Sequence, residues 1–156
     1  MIVVDSLANH RELVSQVVEI AWSEWGQTLT EEEHQRWLRE AEDDCQSNSS
    51  FSAGFVAVSG EAAVGTVQLH EFDIDEMRDR SPWICGMVVK PDYRGLGIGR
   101  RLLGALESFA AGKGVKRLWV FTESASEFYE RCEWSPYAEA IHDGEPGTVL
   151  TKQINS

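Results

Sequence analysis

The stretch VVKPDYRGLGIGRRLL, residues 88–103, decides the fold, because it joins three kinds of local structure without a break. Before it lies Pro82–Val89 (PWICGMVV), an apolar run that reads as a buried strand with a glycine inside it. Gly86 weakens such a strand and marks a bulge or a close approach of another backbone or a ligand. A loop follows over Lys90–Gly95, and then a helix that buries Leu102, Leu103, Leu106, Phe109 and Ala110. Gly112-Lys113-Gly114 ends that helix. Gly95, Gly97 and Gly99 alternate, so the chain can turn tightly and present bare amides. Those amides coincide with a helix N-terminus, which suits phosphate. Arg94 adds a charged fork, and Arg100 and Arg101 add positive field. The spacing is not GxGxxG, and no Walker lysine with Ser or Thr follows, so dinucleotide and P-loop readings do not fit.

Charge works outward from the same loop. The chain of 156 residues has 14 Lys and Arg against 26 Asp and Glu, a net charge of −12. Residues 90–117 alone hold seven basic and two acidic side chains, a net of +5. A basic island in an acidic protein points to one anionic ligand at one place, and the overall balance argues against a nucleic-acid partner. The length suits a single domain over residues 1–156. No stretch approaches the ~20 apolar residues of a membrane span, and the start of the chain lacks a secretory pattern, so a cytoplasmic location is expected, with no membrane partner. Cys45, Cys85 and Cys132 are odd in number and lack CxxC spacing, so they read as reduced thiols and no metal site is expected.

The rest of the chain supplies the frame. Ile2–Asp5 reads as a first strand, and Leu13, Val14, Val17, Val18, Ala21 and Trp25 recur at helical spacing from about Asn9 to Trp25, with Gly26 as a stop. Thr30-Glu31-Glu32-Glu33 is a capping box for a second helix that buries His34, Trp37, Leu38 and Ala41, with Cys45 a further candidate. The polar loop QSNSS ends it. Gly54–Ser59 and Ala62–Glu71 read as a hairpin around Ser59-Gly60-Glu61, followed by an acidic loop with Asp73, Asp75, Glu76 and Asp79. Arg117–Thr122 is another buried strand, and Ser124-Ala125-Ser126-Glu127 repeats the capping-box pattern before a short helix with Phe128, Tyr129 and Cys132. Strands around Tyr137–His142 and Thr148–Ile154 flank the turn Asp143-Gly144. The order βααβββαβαββ is α/β (α+β) with a mixed central sheet.

VVKPDYRGLGIGRRLL resembles the acetyl-CoA-binding motif of the GNAT superfamily of N-acetyltransferases, with Arg94, Gly97 and Gly99 at its three defining positions. LWVFTESASEFYERCEW, PWICGMVV and Glu24-Trp25 extend the resemblance over essentially the whole chain. It implies a GNAT fold in which two parallel strands, Pro82–Val89 and Arg117–Thr122, splay apart and admit the pantetheine arm. The backbone of Met87, Val88 and Val89 would then meet the pantetheine, and the amides from Arg94 through Gly95, Leu96, Gly97, Ile98 and Gly99 to Arg100 would hold the pyrophosphate. Ser124 stands where the family often has a cofactor-contacting Asn, so it divides between that role and helix capping. Glu133 replaces a common glycine, which puts the local turn in doubt.

The resemblance further implies an acetyl-CoA co-substrate, no metal, and direct attack of an amine on the thioester. Tyr129 matches the family tyrosine that protonates the leaving thiolate, and its Phe128-Tyr129 context favours that role over the alternative of a core aromatic on a helix. Glu71 is the first candidate for the base, with Asp73, Asp75 and His70 behind it. The acceptor is a small-molecule amine or a protein amine, and Trp22, Trp25, Trp37, the acidic loop and Tyr137 are candidates to surround it. Two other classes stay open: a non-catalytic acyl-CoA sensor or scaffold on the same fold, and a nucleotide-binding regulatory domain using the same loop. A homodimer is possible, although no sequence feature fixes an interface.

Overall fold

The computed structural model describes residues 1–46, 53–71, 77 and 79–155. Its elements follow the order read from the sequence: β1 (Ile2–Ser6), α1 (Val14–Trp25), α2 (Glu31–Gln46), β2 (Ala53–Ser59), β3 (Ala62–His70), β4 (Trp83–Val89), α3 (Ile98–Gly112), β5 (Arg117–Thr122), α4 (Ser126–Arg131), β6 (Ser135–His142) and β7 (Glu145–Gln153). The strands hydrogen-bond in the order β1-β2-β3-β4-β5-β7-β6, with parallel pairing at β4–β5. This is a mixed α/β fold. By its contacts the chain divides into two compact units, Met1–Gln68 with Gly86–Leu106, and Leu69–Cys85 with Glu107–Ser156.

In the first unit β1 pairs antiparallel with β2, from Ile2↔Ser59 to Ser6↔Phe55. Val14, Val17 and Ile20 of α1 pack with Leu7, Leu13, Val56, Val58, Ala63 and Val88 in one buried cluster. Each such side chain fully removed from water contributes about 1.5–3 kcal/mol. The helix expected from Asn9 begins only at Val14, after two short 3-10 turns, Leu7–Asn9 and Arg11–Leu13. The Asp5 carboxylate explains the delay: it accepts the Ser6 N–H at 2.8 Å and Asn9 Nδ2 at 3.3 Å, and meets His10 Nε2 at 3.0 Å. A short polar side chain that bonds nearby groups competes with helix formation. α1 stops at Gly26, whose N–H donates to Trp22 O at 2.8 Å; a Cβ there would lie 2.4 Å from the Trp22 ring.

Thr30 caps α2 as expected, its hydroxyl accepting the Glu33 N–H at 3.2 Å. His34, Trp37, Leu38 and Ala41 are half-buried where full burial was expected, because α2 is held to α1 by an aromatic staple. The His34 ring stacks on Trp22 with centroids 4.5 Å apart, and Trp37 meets Trp22 edge-on at 5.1 Å. The polar loop expected from Gln46 begins one residue later, since α2 runs through Gln46; the Cys45 side chain, residues 47–50, and Asp73, Asp75 and Glu76 lie outside the described residues.

In the second unit β5 pairs in parallel with β4 at Trp83↔Trp119 and Ile84↔Val120, and antiparallel with β7 from Arg117↔Gln153 to Thr122↔Thr148. Trp83, Trp119 and Val149 form its buried aromatic cluster, with Met77, Cys85, Phe121 and Ala140 packed on it. β6 and β7 close through Asp143-Gly144, both at positive φ (52° and 81°), the conformation a two-residue hairpin turn selects. The capping box at Ser124 does not form. α4 starts at Ser126 after Ala125, with no side-chain cap, and the Thr122 hydroxyl accepts the Ala125 N–H at 2.9 Å. Glu133 sits at φ 72°, so the turn keeps a glycine-like conformation without the glycine. Glu107 accepts from Lys152 Nζ at 2.8 Å and from Trp134 Nε1 at 3.1 Å, and Lys152 also donates to Cys132 O, tying the end of α4 to β7 and α3.

Candidate active site

The glycine loop takes the conformation its composition demands. Gly95 and Gly97 lie at φ 79° and 80°, and open space surrounds the position of a Cβ on either. The Gly97 carbonyl accepts the Arg101 N–H at 3.1 Å, which makes Gly97 the cap of α3. The amides of Ile98 and Gly99 precede that first helical bond, so the start of α3 has donors with no intrahelical acceptor. Together with the helix dipole they favour an anion.

β4 orients its polar groups for the same purpose. The Lys90 N–H donates to Val64 O at 2.8 Å, and the Val88 carbonyl lies 3.3 Å from a Cβ built on Gly65, so Val88 faces β3. Successive residues of a strand point their backbone groups to opposite edges, so Met87 and Val89 present theirs on the edge away from β3. Gly86, at φ 61° with nothing near a Cβ, is the irregularity expected within this strand.

Arg94 behaves differently from the free charged fork its position suggests. Its Nε donates to the Val89 carbonyl at 2.8 Å, and Nη2 reaches Glu24 of α1 at 3.2 Å. The guanidinium therefore clamps the end of β4 to α1, and the loop offers an anion chiefly its backbone. Alongside runs a cavity of about 640 Å³ lined by Glu19, Ser23 and Glu24 of α1 and by Val89, Tyr93 and Arg94. Sequence reading did not find Glu24 as the partner of Arg94, since no local pattern links residues so far apart.

In the second unit Tyr129 is 3% exposed. Burial, with the nearby Cys85 and Cys132 thiols, pushes its phenol above the ordinary tyrosine range. Phe128 and Trp134 meet the ring edge-on at 5.1 and 5.6 Å. A tyrosine so placed stays protonated, a donor and not a base. Ser124 is exposed, and so is Glu71, one residue beyond the end of β3. Cys132, the residue after α4, is buried. Of the candidate acceptor aromatics, Trp22 and Trp37 meet in the α1–α2 staple, and Trp25 is exposed. Tyr137 packs on Trp119 and on Arg80, a residue that sequence reading passed over. Among the described residues no group of three His, Cys, Asp or Glu could hold a metal ion, and no helix is long and apolar enough to cross a membrane.

The model of the Acetyltransferase (GNAT) family matches residues 14–134. The chain belongs to the GNAT acetyltransferase family. No curated protein matches it in sequence. Its solved neighbours share the GNAT fold at low identity. An aminoglycoside 6'-N-acetyltransferase complexed with coenzyme A superimposes with a TM-score of 0.79 at 16% identity, covering 99% of this chain and 98% of that one. An aminoglycoside 6'-acetyltransferase type Ii gives 0.77 at 19% identity, with 99% and 98% covered. The PaiA N-acetyltransferase from Thermoplasma acidophilum, in complex with coenzyme A, gives 0.68 at 17% identity, with 98% and 99% covered. As a GNAT acetyltransferase the chain is an enzyme, and its motif glycines are those that shape the start of α3.

Proposed function

We propose that this GNAT enzyme transfers the acetyl group of acetyl-CoA to a primary amine by direct attack. The observation that carries the reading is the glycine loop: two left-handed glycines with open space before them lead into a helix whose first amides lack helical acceptors. A Cβ would fill that space, which is what an anion-binding cradle requires. The backbone of Met87 and Val89, the Arg94–Arg100 amides and the Ser124 hydroxyl are the groups to hold the co-substrate, which supplies an activated thioester carbonyl; the Val88 backbone, turned to β3, is not among them. Tyr129 donates a proton to the leaving thiolate, and Glu71 takes one from the incoming ammonium. The acceptor is a small-molecule amine; that two structural neighbours are aminoglycoside acetyltransferases supports this choice over a protein amine.

The test has two arms. Acetyl-CoA should raise the melting temperature while ATP and NAD at equal concentration do not; equal shifts from all three would overturn the cofactor. A panel of amines should then release CoA thiol. Binding without release from any amine would favour the non-catalytic sensor.

A further inference from the structure

Arg94 stands one residue before the glycine cradle, yet its side chain turns back toward β4. The 3-10 turn Pro91–Tyr93 allows this, with the Tyr93 N–H donating to Lys90 O at 2.9 Å and the Arg94 N–H to Pro91 O at 3.3 Å. Arg94 Nε then reaches the Val89 carbonyl at 2.8 Å, and Nη2 donates to Glu24 Oε2 at 3.2 Å. Both side chains are nearly half exposed, 49% for Arg94 and 44% for Glu24. An ion pair so open to water adds little to stability. What it changes is direction: a free arginine samples many rotamers, and Glu24 leaves this one few.

The Val89 carbonyl lies on the edge of β4 away from β3, where the pantetheine arm is proposed to pair. A backbone carbonyl has two lone pairs, so with Arg94 on one the other still accepts an amide N–H. We infer that Glu24 is a positioning residue for the co-substrate: through Arg94 it fixes the Val89 carbonyl before the arm arrives. Glu24, Val89 and Arg94 all line the cavity of about 640 Å³, so the three stand at an opening and not in packed core. They also belong to one compact unit, together with the cradle. A fixed acceptor costs a ligand less to order than a mobile one, so the effect belongs to affinity. It is confined to ligands that carry the arm. The phosphates are left to the amides at the start of α3, on which Glu24 has no hold.

The inference rests on the acetyl-CoA reading, and its test compares two ligands at equilibrium, without turnover. Acetyl-CoA carries both the arm and the phosphates; adenosine 3'-phosphate 5'-diphosphate carries the phosphates alone. Glu24→Ala should weaken acetyl-CoA binding about fivefold, the value of one hydrogen bond, and leave the affinity for the nucleotide unchanged. Glu24→Gln, whose amide oxygen still accepts from Nη2, should recover most of the loss. Arg94→Ala should weaken acetyl-CoA at least as much as Glu24→Ala, and the double variant should be no weaker than Arg94→Ala alone, since the glutamate acts through the arginine. Equal weakening of both ligands, an unchanged acetyl-CoA affinity in Glu24→Ala, or additive losses in the double variant would overturn the inference. Glu24 is exposed, so these changes leave the core packing intact. Failure of the transferase reading looks different: the wild type itself would bind no acetyl-CoA, or would release no thiol with any amine.

Discussion

At Tyr129, burial and the two neighbouring thiols act in one direction, since each disfavours the phenolate. The proton is therefore always present for donation, although a phenol held this tightly gives it up reluctantly. Tyr129→Phe should leave acetyl-CoA affinity within a few-fold and lower single-turnover acetyl transfer by roughly 10²-fold, the lower end of general acid catalysis. Undiminished transfer in the variant would leave Tyr129 as core. The same shift has a stability consequence. Its folded value lies above the unfolded one, so the contribution is complete below about pH 10 and is lost as pH rises further. The wild type should lose melting temperature above about pH 10 more steeply than Tyr129→Phe. At Gly97 the expectation is steric: Gly97→Val puts a branched side chain at φ 80°, in the space before the α3 amides, and should abolish the acetyl-CoA thermal shift. An unchanged shift would refute the loop assignment. Alternating glycines before an apolar helix made this loop readable in the sequence. The clamp of Arg94 on Glu24 was not readable, because 70 residues separate the two and only the folded chain brings them together.

Among the elements, α2 depends on one residue more than its length suggests. His34 stacks on Trp22, and its Nε2 meets Glu19 at 2.6 Å while Nδ1 meets Glu31 at 3.4 Å. Desolvation opposes its charge, but the bonds to Glu19 and Glu31 outweigh this and raise its pKa above the ordinary histidine value. A raised folded value means the contribution is full below about pH 6.5 and fades as pH climbs through the folded value. Corrected for the intrinsic rise of exchange with pH, the protection of α2 amides should therefore fall between mildly acidic and mildly alkaline pH, and His34→Gln should remove that fall. A variant with the wild-type pH profile would show that the charge on His34 does not hold α2. The order of strands and helices was legible because the period changes from helical to strand-like and back, with glycines at the joints. The starts of α1 and α4 were not. There Asp5 and Thr122 bind nearby backbone amides, and such short-range competition leaves no trace in apolar periodicity.

For the whole molecule, the arithmetic of charge sets the conditions under which a polyanionic co-substrate is held. A net of −12 repels it, and the +5 of residues 90–117 must attract it locally. The acetyl-CoA thermal shift should shrink as salt rises from about 0.05 M to about 0.5 M, since screening over a Debye length weakens exposed charges first. A salt-independent shift would mean that the backbone cradle does the holding alone. Protein chains are stable by a small margin, and this one does not use all the margin available. Glu133 occupies a left-handed turn that a glycine would enter without strain. Glu133→Gly should raise stability by about 1 kcal/mol, roughly 2–4 °C in melting temperature for a chain of this size. The position is exposed, so the change leaves the core packing untouched. Anyone diversifying the acceptor-facing residues by mutagenesis could begin from that variant, whose extra tolerance would let more substitutions survive long enough to be selected.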